Sequence, residues 1–184
     1  PGDNVLLERP TYLAAITIFK AYEVGFRPVA SDEQGIIPES LEEAILKYKP
    51  KMLYVVPTFQ NPTGVTIPAE RRKAIAEIAG KYGVIVVEDD PYALLRYDGD
   101  PIPSIASYDT AGVVIHVNSF SKIVSPGLRV GYAVAAPQIK DLLTQAKQTA
   151  DFHTSNLSQR MIYEFCTRGM LEPHLATVRE TYKA

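Results

Sequence analysis

Tryptophan is absent from the 184 residues and cysteine occurs once, at Cys166. A single thiol excludes an intramolecular disulfide and any metal site built from several cysteines. The three histidines, His116, His153 and His174, are too scattered for metal-ligand spacing. They read as core or surface residues, and no metal is expected. No run approaches the ~18 apolar residues of a membrane span, and no secretory leader opens the chain. A charge excess of either sign is lacking too, with 19 basic against 21 acidic residues. A nucleic-acid surface needs a basic patch to offset phosphate. Neither nucleic acid nor membrane is therefore an expected partner, and the cytoplasm is the expected address. Repeats and low-complexity segments are missing as well.

What is present is enough apolar sequence, 46% of residues, to bury a core in one domain of roughly 150 residues. Short β-branched runs recur at Val5–Glu8, Met52–Val56, Val84–Glu88, Val113–Val117 and Val130–Ala135. Uninterrupted apolar runs of this length suit strands covered on both faces of a mainly parallel sheet. Helical patterns separate them. Pro38 opens one, with Leu41, Ala44, Ile45 and Tyr48 on one face. Pro68 opens a second, with Ile75, Ile78, Ala79 and Tyr82 on one face and Gly83 as its stop. Pro137 opens a third, carrying Ile139, Leu142, Leu143 and Ala146. Proline fits the first helical turn because the N–H it lacks would have no partner there. Further helices are expected over Ser155–Thr167 and after Leu171. Alternating strands and helices imply an open α/β sheet, in which ligands bind at the carboxyl ends of strands.

Three of those strand ends carry polar residues. Pro57-Thr58-Phe59-Gln60-Asn61-Pro62-Thr63-Gly64 follows the second run, Glu88-Asp89-Asp90-Pro91-Tyr92 ends the third, and Asn118-Ser119-Phe120-Ser121-Lys122 ends the fourth, with Arg129 seven residues past the lysine. Each has an ordinary explanation alone: a turn, a solvated strand end, a surface lysine. Together they gather an amine, a carboxylate, a phenol, an amide, two hydroxyls and a guanidinium. That set suits an aldehyde-bearing, phosphorylated pyridine, with the guanidinium fork matched to phosphate.

Asn-Pro-Thr-Gly, Asp-x-x-Tyr and Ser-x-Ser-Lys with arginine seven residues on, in this order and spacing, resemble the large domain of fold-type I pyridoxal-phosphate (PLP) enzymes, the aspartate aminotransferase superfamily. The wording Glu-Asp-Asp-Pro-Tyr, Ser-Phe-Ser-Lys-Ile and Pro-Gly-Leu-Arg-Val-Gly-Tyr resembles the aminoadipate/kynurenine aminotransferase branch. The resemblance implies a three-layer α/β/α large domain with a mostly parallel sheet and one antiparallel strand. It implies pyridoxal 5'-phosphate as cofactor, held on Lys122 as an aldimine, with Lys122 then moving the proton between the substrate Cα and the cofactor. Asp89 would pair with the pyridine nitrogen, Asp90 being its rival. Tyr92 and Asn61 would hydrogen-bond the 3' oxygen, Ser119, Ser121 and Arg129 would take the phosphate, and Tyr12 would stack on the ring, although a core tyrosine would look the same.

The implied reaction moves an amino group between an amino acid, such as 2-aminoadipate, an aromatic amino acid or glutamate, and a 2-oxo acid. A PLP-dependent carbon–sulfur lyase would share the same residues. A PLP-binding effector domain of a transcription regulator is a third reading, against which Pro91 leans. A homodimer is expected from the resemblance. Residues 1–170 are expected to form the PLP-binding large domain, incomplete at its N-terminus, and residues 171–184 to begin a helix leading to a small domain. The family places a first strand beside the one at Val130–Ala135, and a phosphate-binding helix start before residue 1. The 184 residues alone are therefore expected to bind PLP weakly and to transaminate poorly or not at all.

Overall fold

The computed structural model describes Pro1–Lys183, which form two compact units. The first comprises Pro1–Asp90 and Ile102–His116, the second Pro91–Pro101 and the described residues from Val117 on.

The first unit is built on β1 (Asn4–Leu7), β2 (Gly25–Pro28), β5 (Met52–Val55), β6 (Ile85–Asp89) and the start of β7 (Val114–Ser119), side by side in the order β2-β1-β5-β6-β7. β1 pairs in parallel with β2 and with β5, and β5 pairs in parallel with β6. The register places Leu6, Leu53 and Val86 next to one another across the three central strands, and all three are fully buried. This is the pattern the β-branched runs predict for strands covered on both faces. A small antiparallel pair, β3 (Ser31–Asp32) with β4 (Gly35–Ile36), precedes the helix that starts at Pro38.

The helices of this unit follow their start and stop signals. α2 spans Pro38–Tyr48 and buries Leu41, Ala44 and Ile45. α3 spans Ala69–Tyr82, with Pro68 one residue outside it, and ends on Gly83 at φ +65°, a left-handed conformation that suits a residue without Cβ. A short helix, α1 (Leu13–Lys20), and β2 were not signalled by the sequence.

The second unit contains the end of β7, β8 (Gly131–Val134), α4 (Pro137–Asp151), α5 (Asn156–Thr167) and α6 (Leu171–Lys183). The 120–130 connection is too short for the crossover a parallel pair needs, and β7/β8 forms the antiparallel pair of an otherwise mostly parallel sheet. β8 is an edge strand whose four residues are all exposed. α4 has the proline start and the apolar stripe that its sequence announces, yet buries none of its residues. No helix among the described residues is long and apolar enough to cross a membrane.

Candidate functional site

In the first unit, three of the expected site residues sit at strand ends held by buried polar groups. Asn61 lies, half-buried, in the 57–64 loop that follows β5. Arg72, a helix residue with no exposed surface, pins that loop from inside. Its guanidinium donates to the carbonyls of Ile67 at 2.8 Å and Pro57 at 2.9 Å, and to the Thr58 hydroxyl at 3.0 Å. Gln60 closes the loop from the other side. Its amide oxygen accepts from the Thr63 N–H at 2.9 Å and the Thr63 hydroxyl at 2.7 Å, and its amide nitrogen donates to the Pro10 carbonyl at 2.9 Å. That last bond ties the loop of Asn61 to the segment carrying Tyr12, which caps α1 and is 40% exposed.

Beneath both lies Glu8, 5% exposed, whose carboxylate accepts the Val56 N–H at 3.0 Å. Burial pushes its carboxyl up to about 7, against the opposing pull of the Val56 and Gln60 hydrogen bonds.

Asp89 ends β6 and is partly exposed, whereas Asp90 is 2% exposed. The Tyr54 hydroxyl donates to Asp89 Oδ2 at 2.6 Å. No hydrogen bond among the described residues falls on Asp89 Oδ1. Burial raises the Asp89 carboxyl, while the Tyr54 hydrogen bond and the charge of His116 lower it. Asp90 turns to the interior: the Thr58 hydroxyl hydrogen-bonds it, burial raises its carboxyl, and its Oδ1 has no hydrogen-bond partner among the described residues. The neighbouring Glu88 is fully buried and accepts the N–H groups of Ile105 at 2.6 Å and Ala106 at 3.1 Å, with His116 Nδ1 at 3.0 Å. The hydrogen bond to Glu88 raises the imidazole above its ordinary value, burial opposing it.

The second unit gathers Ser119, Ser121, Lys122 and Arg129 on the turn between β7 and β8, and holds Tyr92, half-buried, at the start of the 3-10 turn Ala93–Leu95. Ser119 Oγ and Ser121 Oγ are 2.9 Å apart, the Ser121 N–H donates to Ser119 Oγ at 3.1 Å, and Arg129 Nη1 reaches Ser121 Oγ at 3.4 Å. Arg129 holds φ +54°. A Cβ on Gly131 would lie 2.9 Å from the Asn118 carbonyl oxygen, so glycine is what lets β8 lie close to the end of β7. Two hydroxyls, a guanidinium and an amide N–H around one point are donors suited to a phosphate dianion, and the exposed Lys122 amine stands next to them in sequence.

A family model for aminotransferases of class I and II matches residues 1–182. The chain belongs to that family. Among its curated relatives is the aromatic-amino-acid aminotransferase 1 of Thermococcus litoralis, 42% identical over all of this chain and 45% of that protein. Among solved structures, the kynurenine aminotransferase of Pyrococcus horikoshii, crystallised with PMP and kynurenine, matches with a TM-score of 0.96 and 43% identity, over all of this chain and 46% of that one. The α-aminoadipate aminotransferase LysN of Thermus thermophilus, complexed with N-(5'-phosphopyridoxyl)-L-leucine, matches with a TM-score of 0.90 and 40% identity, over 98% of this chain and 47% of that one. The chain thus spans less than half the length of each of these three proteins.

The motif residues were legible in the sequence; the residues that hold them were not. Tyr54 reads as one more apolar member of a strand run, and Arg72 as an ordinary exposed helix arginine. Glu8 stands at the end of an apolar run, a place where an acid signals either solvent or a deliberate internal bond. Only Gln60, directly before Asn61, lay inside a motif already singled out.

Proposed function

We propose that the protein is a PLP-dependent aminotransferase that moves an amino group between an amino acid and a 2-oxo acid. The observation that carries this reading is the convergence of Ser119, Ser121 and Arg129 on the turn that also carries Lys122, next to Ser121 in the sequence. These donors fit the phosphate of pyridoxal 5'-phosphate, and Asp89, whose Oδ1 accepts no hydrogen bond among the described residues, fits its ring nitrogen. When bound, the cofactor supplies an aldehyde that condenses with amines and a protonated ring that draws electrons from the substrate Cα.

The protein's own residues do the rest. Ser119, Ser121 and Arg129 hold the phosphate and so fix the cofactor's position. The Lys122 amine would hold the cofactor through its aldehyde and would take and return the proton at the substrate Cα. Asp89, rather than the inward-facing Asp90, keeps a negative charge at the ring nitrogen. Asn61 and Tyr92 would donate to the cofactor's 3' oxygen, and Tyr12 would offer its ring as an apolar contact. Aromatic amino acids, kynurenine and 2-aminoadipate are the substrates to try first, since relatives carry those names. The homodimer belongs to the same reading, and sedimentation velocity on the full-length protein checks it.

The decisive experiment is a PLP titration followed by absorption, with Lys122→Ala alongside. The reading expects a visible band in the parent, lost in the variant, and a borohydride-stable adduct mapped to Lys122. An adduct on another lysine, or none in the full-length protein, would overturn it.

A further inference from the structure

Asp89 carries the ring-nitrogen pairing in the proposed aminotransferase, and the role of Tyr54 argued below rests on that reading. One carboxylate oxygen is already engaged by Tyr54, at 2.6 Å. Tyr54 sits on β5, the strand beside β6, and is 4% exposed. The Phe19 ring packs edge-on against it, with centroids 5.8 Å apart and planes at 76°. A phenol confined in this way cannot turn its hydroxyl to solvent. Nor does it readily ionise: burial pushes its proton affinity up, and the charge of Asp89, its hydrogen bond, Glu8 and Tyr12 push the same way. Tyr54 is therefore a permanent donor, and Asp89 the acceptor.

A carboxylate and a pyridine that share one proton away from water hold it on whichever is more basic. Burial makes Asp89 more basic, which favours passing the ring's proton to Asp89 and leaving a neutral ring beside a neutral acid. An unprotonated ring is a poor electron sink. A hydrogen bond donated to the charged carboxylate works against that transfer.

We propose that Tyr54 is a positioning residue for transamination: its hydroxyl fixes Asp89 through Oδ2, leaves Oδ1 for the cofactor, and keeps the shared proton on the ring nitrogen. Tyr54 does not touch substrate, and it acts through Asp89.

The test is Tyr54→Phe in the full-length protein loaded with PLP whose ring nitrogen carries 15N. Phenylalanine keeps the ring that packs on Phe19 and removes only the hydroxyl. The expected result is a variant that still forms the Lys122 adduct and whose 15N signal moves toward that of unprotonated pyridine. Its kcat falls by about tenfold, the scale of one charge-assisted hydrogen bond, with little change in KM. A 15N signal identical to the parent's would overturn the proposal, whatever happens to kcat. The parent provides the separation from the underlying reading. If parental PLP forms no Lys122 adduct, or if Asp89→Asn leaves the parental 15N signal in place, the assignment of the site itself fails and takes the role of Tyr54 with it.

Discussion

The two units hold the residues assigned to the cofactor by different physical means. In the first, the residues assigned to the ring nitrogen and the 3' oxygen are fixed from behind by buried polar groups: Arg72 under the loop of Asn61, and Tyr54 against Asp89. In the second, the residues assigned to phosphate lie on a surface turn, fixed by backbone geometry and by one another, with Lys122 and Arg129 exposed. The helices repeat the contrast. α2 and α4 both start on proline and carry an apolar stripe, yet Leu41 of α2 is fully buried while Leu142 of α4 is 66% exposed. Substitutions behind the first set should therefore act through the fold, and substitutions on the second through local geometry.

The largest effect is expected at Arg72. Arg72→Leu removes the donors to Ile67, Pro57 and Thr58: the Ile67 carbonyl loses its guanidinium partner outright, while the Pro57 carbonyl keeps only the Ile67 N–H and the Thr58 hydroxyl only Asp90. Breaking a buried charged network of this kind costs about 3–5 kcal/mol. Urea unfolding should show that loss, together with weaker PLP binding as the loop of Asn61 loosens. A midpoint close to the parent's would mean that the loop holds itself and that the contrast between the units is false.

Glu8 gives the same comparison a pH axis. Because burial raises its carboxyl from 4.5 to about 7, the folded protein holds a proton there that the unfolded chain releases. This contribution is therefore fully favourable below pH 4.5 and is lost as the pH climbs to about 7. Integrated over that window it amounts to on the order of 3 kcal/mol. Glu8→Gln cannot titrate, so its stability against pH should be flatter than the parent's between those limits. Parallel curves for parent and variant would remove Glu8 from the account.

A smaller effect is expected in the second unit, at Gly131. Gly131→Ala sets a Cβ at 2.9 Å from the Asn118 carbonyl oxygen, and backbone rather than a flexible side chain must give way. Overpacking of this sort costs about 1–3 kcal/mol. Since Ser119 follows Asn118, PLP affinity should fall by more than the lost stability explains. Equal losses in both would place the effect in the fold alone.

These cases also mark how far the sequence could be read. β-branched runs located β1, β5, β6, β7 and β8 to within about two residues and proline starts located the beginnings of α2, α3 and α4, because burial on both faces and helix entry each leave a local signature, while α5 and α6 were placed without such a start. α1 and β2 left none: Leu13–Lys20 has no side-chain cap and no proline start, and Gly25–Pro28 is short, with Phe26 as its one strand-favouring residue. The hydroxyls of Ser119 and Ser121 could be grouped with Arg129 because they are close in the chain. Tyr54 and Asp89 lie 35 residues apart, so only the pairing of β5 with β6 brings them into contact. The stripe on α4 was legible as a stripe, but a periodic pattern says which face is apolar and not what covers it.

The smallest expected effect tests that last distinction. Leu142 is 66% exposed on a helix that buries nothing among the described residues. Exposed positions away from caps and networks usually change stability by within about 0.5 kcal/mol, so Leu142→Ala in the 184-residue chain should unfold at the parental midpoint. Alanine also has the higher helix propensity, which offsets the little contact surface removed. The matching change in α2, Leu41→Ala, empties a fully buried site and should cost about 2–5 kcal/mol. A cost at Leu142 approaching that at Leu41 would mean that the α4 stripe is covered in solution even in this chain, for instance by self-association. Measuring both variants over a hundredfold range of protein concentration decides it, because a stripe covered by a second copy loses its cover on dilution while the core around Leu41 does not.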